Sequence, residues 1–413
     1  MKIAVIAPTY LPSSRANTIQ VMKMTQALME IGHTVRLAVP STHTDGISQR
    51  WDKLAHHYGL QHEFDIQWLL SSPTWRGYDF GWRAMRWARM WEAQYVYTRH
   101  PQTAAFCSLV AIPTILEVHD LPHGWMADNL FQAFLKGKGA RRLALITYTL
   151  AGDLAVRFPA LSSQVPVQPQ YVVSKNPLKY PAGFVLIAPD GVDLVRYVGL
   201  PDPQKARTAL ANMTDFPWAN LQPERFTVGY TGHLYPGRGT DLILDLAQRL
   251  PEIAFLIAGG DPARVETLRQ AADKRALKNM YITGFIPNAD LPLVQAACDV
   301  LLMPYQERVE ASSGGDISRY LSPMKAFEYL ACGRPIVASN LPVFREIFND
   351  QNCLLVTHAN VEEWIDALLK LQHDPALCRQ YAEQARRDVQ QYEWKARAKR
   401  ILDGLLETNE RIL

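Results

Sequence analysis

The chain has 413 residues, 48% hydrophobic and 20% charged, with a formal net charge of +3 and a pI near 8.5. That length exceeds one ordinary core and fits about two domains. The near-balanced charge excludes a generic nucleic-acid binder, and the absence of low-complexity tracts or long charge runs excludes extensive disorder.

The N-terminal segment reads as strand "KIAVIA", polar loop "PTYLPSSRAN", helix "TIQVMKMTQALMEIG" and strand "HTVRLAVP", which is a βαβ unit. Pro8 breaks the opening strand too soon for the apolar region of a signal peptide. Apolar strands recur at "AQYVYTR", "PTILEVHD", "ALITYT" and "GFVLIAPDG" with helical patterns between them, so residues 1–190 form one doubly wound parallel sheet. A linker containing Pro and Asp runs near 199–225. The alternation then resumes through "FTVGYTG", "IAFLIAGG", "NMYITGF", "DVLLMPY" and "PIVAS", making residues 191–390 a second parallel α/β sheet. The last helix, in residues 391–413, has no strand after it and is expected to pack back on the first domain. Two such sheets in tandem put the carboxyl ends of their strands at a shared crevice, where open α/β sheets bind ligands.

The five cysteines, at 107, 298, 332, 353 and 378, are scattered without a C-x-x-C pair, as expected of buried thiols in a reducing cytoplasm. No apolar stretch reaches the length of a membrane span. A G-x-S-x-G elbow, a Walker A loop and a G-x-G-x-x-G after the first strand are all missing, which weighs against hydrolase, NTPase and dinucleotide-binding readings.

Four loops carry candidate chemistry. In "GYTGHLYPGRGTDLIL", residues 229–244, glycines 232, 237 and 239 let backbone amides approach a ligand, and Arg238 suits a phosphate; the same residues are also good turn chemistry. His119 and Asp120 end a strand in "EVHDLPHGW", although Asp120 before Leu-Pro also suits a turn. Arg15 and the amides of "PSSRAN" precede the first helix, where phosphates bind, while Ser13 and Ser14 serve equally as caps. Phe285 in "GFIP" suits either a planar base or the core. Asp190 and Asp193 of "PDGVD" read as loop hydrogen-bonders without accompanying histidines, and no metal-ligand constellation stands out.

The segment "SPMKAFEYLACGRPIVAS", 322–339, is a helix stopped by Gly333 and followed by a buried strand. Glu328 lies one residue beyond the helix's apolar stripe, and the plain reading pairs it with Lys325 on the surface.

Taken in order, "GHTVRLAVP", "EVHDLP", "PDGVDLVRY", "GYTGHLYPGRGTDLIL", "ITGFIPNADLPLVQAACDVLLMPY" and "SPMKAFEYLACGRPIVASNLPVFREI" resemble the retaining glycosyltransferases of family 4 along nearly the whole chain. The resemblance implies the GT-B architecture, two Rossmann-like domains facing across a cleft, with acceptor bound by the first and nucleotide-diphosphate sugar by the second. By the same resemblance Glu328 binds the nucleotide ribose, Arg238 the diphosphate and His119 the donor sugar, while Phe285 and Ile286 fall where the main chain reads the base. His233 stands where the family often has another arginine.

Two departures are visible. Eight positions before Glu328, near the family's first glutamate, stands Tyr320, and "SSRAN" replaces paired glycines in the N-terminal loop. A variant branch with "SPMK" before the ribose glutamate is similar, and in it Ser322, Pro323, Met324 and Lys325, through side chains and amides, stand in for the lost contacts.

The implied reaction is sugar transfer with retention, from a UDP- or GDP-sugar as co-substrate to a sugar, glycan or glycolipid hydroxyl, without metal or cofactor. His119, Arg238 and Lys325 are then the candidate catalytic groups. Two rivals share the architecture: a sugar-nucleotide epimerase, for which Asp120 and Asp316 are the candidate carboxylates, and a degenerate nucleotide-sugar-binding protein. Finally, residues 75–91 combine tryptophans with Arg83, Arg86 and Arg89 at a spacing of three, which suits either a domain helix or an interfacial segment resting on an anionic membrane at its cytoplasmic face.

Overall fold

The computed structural model describes residues 1–41, 51–166, 183–212, 221–310 and 314–405. It divides into two compact units, Met1–Asp190 together with the stretch from Trp394 onward, and Gly191–Glu393.

Seven strands build the sheet of the first unit: β1 (Lys2–Ile6), β2 (Thr34–Ser41), β3 (Asp65–Leu70), β4 (Tyr95–Thr98), β5 (Thr114–Val118), β6 (Ala140–Leu145) and β7 (Val185–Ile187). They lie parallel in the order β3-β2-β1-β4-β5-β6-β7. The second unit has β8 (Thr227–Thr231), β9 (Ala254–Ala258), β10 (Met280–Gly284), β11 (Val300–Met303), β12 (Ile336–Ser339) and β13 (Leu354–Val356). Their order is β10-β9-β8-β11-β12-β13, again parallel. Central strands of such sheets are buried on both faces, which is why β9 reads as an unbroken apolar run, β1 as one after Lys2, and β8 is buried at all its positions.

The sequence pattern misses β3 and β13, and both lie at a sheet edge. An edge strand has one open side and tolerates polar residues, so "DIQWLL" and the three-residue "LLV" lack the apolar signature. Strand β6 starts at Ala140, ahead of the predicted "ALITYT". Arg141 and Arg142 disguise that start. The Arg142 guanidinium is buried and donates to the carbonyls of Gly183 at 3.0 Å and Ile401 at 2.6 Å.

The expected linker at 199–225 contains a helix, Pro203–Ala211, whose N-cap Asp202 accepts from the Lys205 amide; residues 213–220 lie outside the described ones. The final helix is shorter than residues 391–413 would allow. It spans Trp394–Leu402, packs against the first helix, Ala16–Glu30, and buries Trp394, Arg397, Ala398, Ile401 and Leu402; residues from 406 are not described. All five cysteines are unpaired, with four of them buried. No helix among the described residues is long and apolar enough to cross a membrane.

Candidate functional site

In the second unit the candidate residues gather where β8 and β10 end. Gly232 follows β8 with φ +135°, and a Cβ there would lie 2.4 Å from Lys325 Nζ, so glycine is what lets the lysine enter. That Nζ is buried without a hydrogen-bond partner among the described residues, 3.8 Å from the Tyr230 ring centre and 5.4 Å from that of Tyr305. Arg238 stacks on the same Tyr305 ring at 4.6 Å, and its Nε is likewise buried without a partner among the described residues. Two cations thus share an aromatic platform. Burial and the neighbouring Arg238 push the Lys325 amine well below the ordinary lysine value, with Glu328 opposing.

Lys325 and Glu328 sit on the helix Met324–Cys332, stopped by Gly333 at φ +63° as the sequence predicts. They do not form the surface ion pair of the plain reading. Glu328 instead accepts from Gln295 Nε2 at 3.2 Å and from Asn288 Nδ2 at 3.5 Å. Gln295 also donates to Thr231 Oγ1, and Asn288 accepts from Arg196 at 2.7 Å. Neutral amides therefore orient a carboxylate that keeps acceptor capacity. The start of this helix has Pro323 at its N-cap and no side-chain cap, which leaves its first amides, beginning at Met324, for an anion. Ser322 beside it is buried.

Gly239, at φ +82°, opens the helix Thr240–Arg249; a Cβ there would lie 2.0 Å from the Pro304 carbonyl. The His233 ring stacks on Tyr235 at 4.8 Å while its carbonyl accepts from Tyr230 at 2.6 Å. After β10, Ile286 is buried, whereas Phe285 is 46% exposed and so is no core residue. Tyr320 is buried at the end of the turn Ser318–Tyr320.

The first unit has a different kind of centre. Glu117 and His119 are two apart along β5 and its exit, so strand alternation puts both side chains on one face. His119 Nε2 bonds Glu117 Oε1, which also receives Gln20 Nε2 at 2.6 Å and Arg397 Nη2 at 3.0 Å. Arg99, at the exit of β4, donates to Gln20 Oε1 at 2.9 Å. Burial pushes the His119 imidazole well below its ordinary value, with Arg99 adding to the shift and Asp190 opposing it; burial also raises the Glu117 and Asp190 carboxyls.

This corrects two expectations. Asp190 is in a loop but does have an accompanying histidine: it is 7% exposed, and a carboxylate oxygen lies within 4.8 Å of a His119 ring nitrogen. Glu117, His119 and Asp190 each bring one nitrogen or oxygen atom within 4.8 Å of the others, a cluster that sequence order conceals. Its acids already face Arg397 and Arg99, so the pocket is charge-compensated by the protein itself. Asp120, by contrast, is a turn residue, accepting from the Leu121 amide and facing His123 Nε2. Arg15 is exposed at the N-cap of the first helix, where its side chain makes no cap bond.

Sequence reasoning missed Glu117, Arg99, Arg397, Asn288 and Gln295. A glutamate in the middle of an apolar strand was the available signal for the first of these.

Residues 213–388 match the family model "Glycosyl transferases group 1". The GDP-mannose-dependent alpha-(1-6)-phosphatidylinositol monomannoside mannosyltransferase of Mycolicibacterium smegmatis is 25% identical over 293 residues, covering 65% of this chain and 70% of that enzyme. D-inositol 3-phosphate glycosyltransferase of Mycobacterium marinum is 32% identical over 183 residues, and the match spans 41% of this chain but only 34% of that protein. Among solved structures, Anabaena HepE in complex with UDP superposes with a TM-score of 0.69 over 98% of this chain and 100% of that one. At 16% identity that likeness shows the fold, the two parallel-sheet domains of GT-B.

Proposed function

We propose that this chain, which has the GT-B fold, is a glycosyltransferase of group 1, that its second unit holds a UDP- or GDP-sugar, and that the sugar passes, with retained configuration, to an acceptor hydroxyl. The observation that carries the reading is the pair of uncompensated cations, Lys325 Nζ and Arg238 Nε, at the uncapped start of the helix that bears Glu328. A departing nucleoside diphosphate supplies the missing negative charge. Charge grows on it as the glycosidic bond breaks, so Lys325, Arg238 and the helix amides stabilise the transition state without recruiting a metal. Glu328, held by Asn288 and Gln295, accepts from the ribose hydroxyls, and exposed Phe285 flanks the base. The relatives' use of GDP-mannose and binding of UDP supports this donor class.

The test is a thermal-shift panel of nucleoside diphosphates. UDP or GDP at about 100 times its dissociation constant adds about 2.7 kcal/mol, and no response to any member rejects the site. Incubation without acceptor separates the epimerase rival, since an epimerase converts the donor sugar whereas a transferase at most hydrolyses it slowly. Asp120 and Asp316, its candidate carboxylates, are both engaged in local turns.

The same proposal places the acceptor at an anionic membrane. In the helix Tyr78–Met90 the buried face is Phe80, Gly81, Ala84 and Ala88, leaving Arg83, Arg86, Arg89, Trp82 and Met90 exposed. Arg76 and Trp75 extend this face, and none of the four guanidiniums has an ion-pair partner among the described residues. Not all tryptophans join it. Trp87 and Trp91 stack on each other and pack against the core. Beside the helix lies a cavity of about 600 Å³ lined by Trp75, Tyr78, Asp79 and Arg83. Unpaired arginines with exposed tryptophan fit an anionic headgroup layer. The chain sediments with vesicles of anionic lipid at low salt, and changing Arg83, Arg86 and Arg89 to Gln releases it; absence of sedimentation by the parent rejects the contact.

A further inference from the structure

The most elaborate side-chain network in the first unit is centred on Arg397, on the helix Trp394–Leu402, which follows the whole of the second unit in the sequence. Its guanidinium is fully buried. Nε donates to the Pro189 carbonyl at 2.8 Å, Nη2 to the Ala188 carbonyl at 3.0 Å, and Nη1 to Tyr97 Oη at 3.1 Å. The same Nη2 meets Glu117 Oε1 at 3.0 Å. One cation thereby ties Tyr97 of β4 and the exit of β7 to the glutamate that holds His119.

We propose that Arg397 is a positioning residue for the transfer reaction, fixing the tautomer and orientation of His119 through Glu117. The inference rests on the reading of His119 as the group that faces the sugar.

An ionised carboxylate only accepts, so the Glu117–His119 bond requires the proton on Nε2 and leaves Nδ1 as a lone-pair acceptor. That arrangement lasts only while Glu117 stays ionised, and in a fully buried site this needs a cation in direct contact. Arg397 is that contact, and Gln20 adds a second donor. Gln20 acts from the first helix, Asp190 faces the ring from the β7 exit, and Arg99 from the β4 exit. With two guanidiniums set against two carboxylates, the ring is held neutral. A neutral imidazole with bare Nδ1 suits a hydroxyl of an uncharged sugar as donor to it. It does not suit a phosphate, which has no proton to give at neutral pH.

The experiment is nitrogen-15 NMR of the His119 ring, assigned with a His119→Gln variant, alongside the pH profile of kcat/KM. In the parent the ring shows a protonated Nε2 and a bare Nδ1 across about pH 5 to 8. In Arg397→Met, Glu117 loses its cation. The ring then shows mixed tautomers or takes up a proton, and the acid limb of the profile moves by about tenfold in proton concentration toward higher pH. Arg397→Lys restores part of both. Glu117→Gln, which keeps Arg397 in place, also mixes the tautomers, and it carries the test should Arg397→Met fail to fold.

A ring that keeps its tautomer and its pH behaviour in Arg397→Lys and Glu117→Gln, with activity falling evenly at all pH, overturns the proposal. The ring measurement needs no substrate, so the two readings separate. Altered tautomers with unaltered turnover would leave the relay standing and remove His119 from the sugar.

Discussion

The two units treat buried charge in opposite ways. In the first, Glu117 and Asp190 are set against Arg397 and Arg99, and the histidine among them stays neutral. In the second, Lys325 and Arg238 lie against tyrosine rings with no anion in contact among the described residues, while Glu328, on the same helix as Lys325, is held by amides. A compensated network costs nothing further when a neutral group binds beside it, so it can be finished before any ligand arrives. An uncompensated cation makes the free protein less stable, and it is retained where a ligand brings the counter-charge. The contrast fits the roles proposed above, a neutral ligand beside the first network and a diphosphate beside the second.

Removing one cation from each unit should therefore have opposite effects on folding. Arg397→Met leaves Glu117 buried and unpaired, and the loss expected in chemical denaturation is about 3 to 5 kcal/mol. Lys325→Met removes a buried charge that has no partner, so the free protein melts no lower than the parent, while turnover falls by about 10² to 10³ as one electrostatic donor is lost. If both variants were destabilised alike, the contrast between the units would be false.

A smaller loss is expected at Glu328. Glu328→Ala removes charge-assisted bonds to ribose and weakens nucleotide binding by about 1.5 to 3 kcal/mol, with Glu328→Gln losing less, as read by calorimetry. Unchanged affinity would mean that the carboxylate does not touch the nucleotide.

The smallest effect is on pH dependence. Because the folded-state value of Lys325 is depressed, the unfolded chain binds more protons between that value and the ordinary 10.5, and the free protein gains stability as pH rises through the interval. A bound diphosphate restores the charge and takes up a proton, so UDP or GDP affinity falls over the same interval. Calorimetry in buffers of different ionisation enthalpy should register that uptake, and Lys325→Met should abolish it.

The second unit was the more legible from sequence. Its residues cluster in short motifs, Gly232 to Gly239 and Ser322 to Glu328, where loop and helix start lie within one stretch. What stayed hidden was the pair of amides at Asn288 and Gln295, because nothing local distinguishes an amide that faces a carboxylate from one that faces water. In the first unit, "EVHDLP" pointed to the strand end where the Arg397 network lies, yet Asp120 drew attention and Glu117 did not. The partners of Glu117 come from positions 20 and 397, and no spacing rule joins residues that far apart. Both overlooked strands, β3 and β13, lie at sheet edges, where burial leaves the weakest mark on composition.

The return of the helix Trp394–Leu402 also matters for the order of synthesis. Glu117 and Asp190 leave the ribosome well before Arg397, which follows Asp190 by about two hundred residues. At about 5 to 20 residues per second, that gap lasts on the order of ten to forty seconds, during which Gln20 and Arg99 are present but the guanidinium in direct contact with Glu117 is not. The first unit, begun at Lys2, is thus the last to be completed, and a chain broken off anywhere in the second unit leaves both units unfinished.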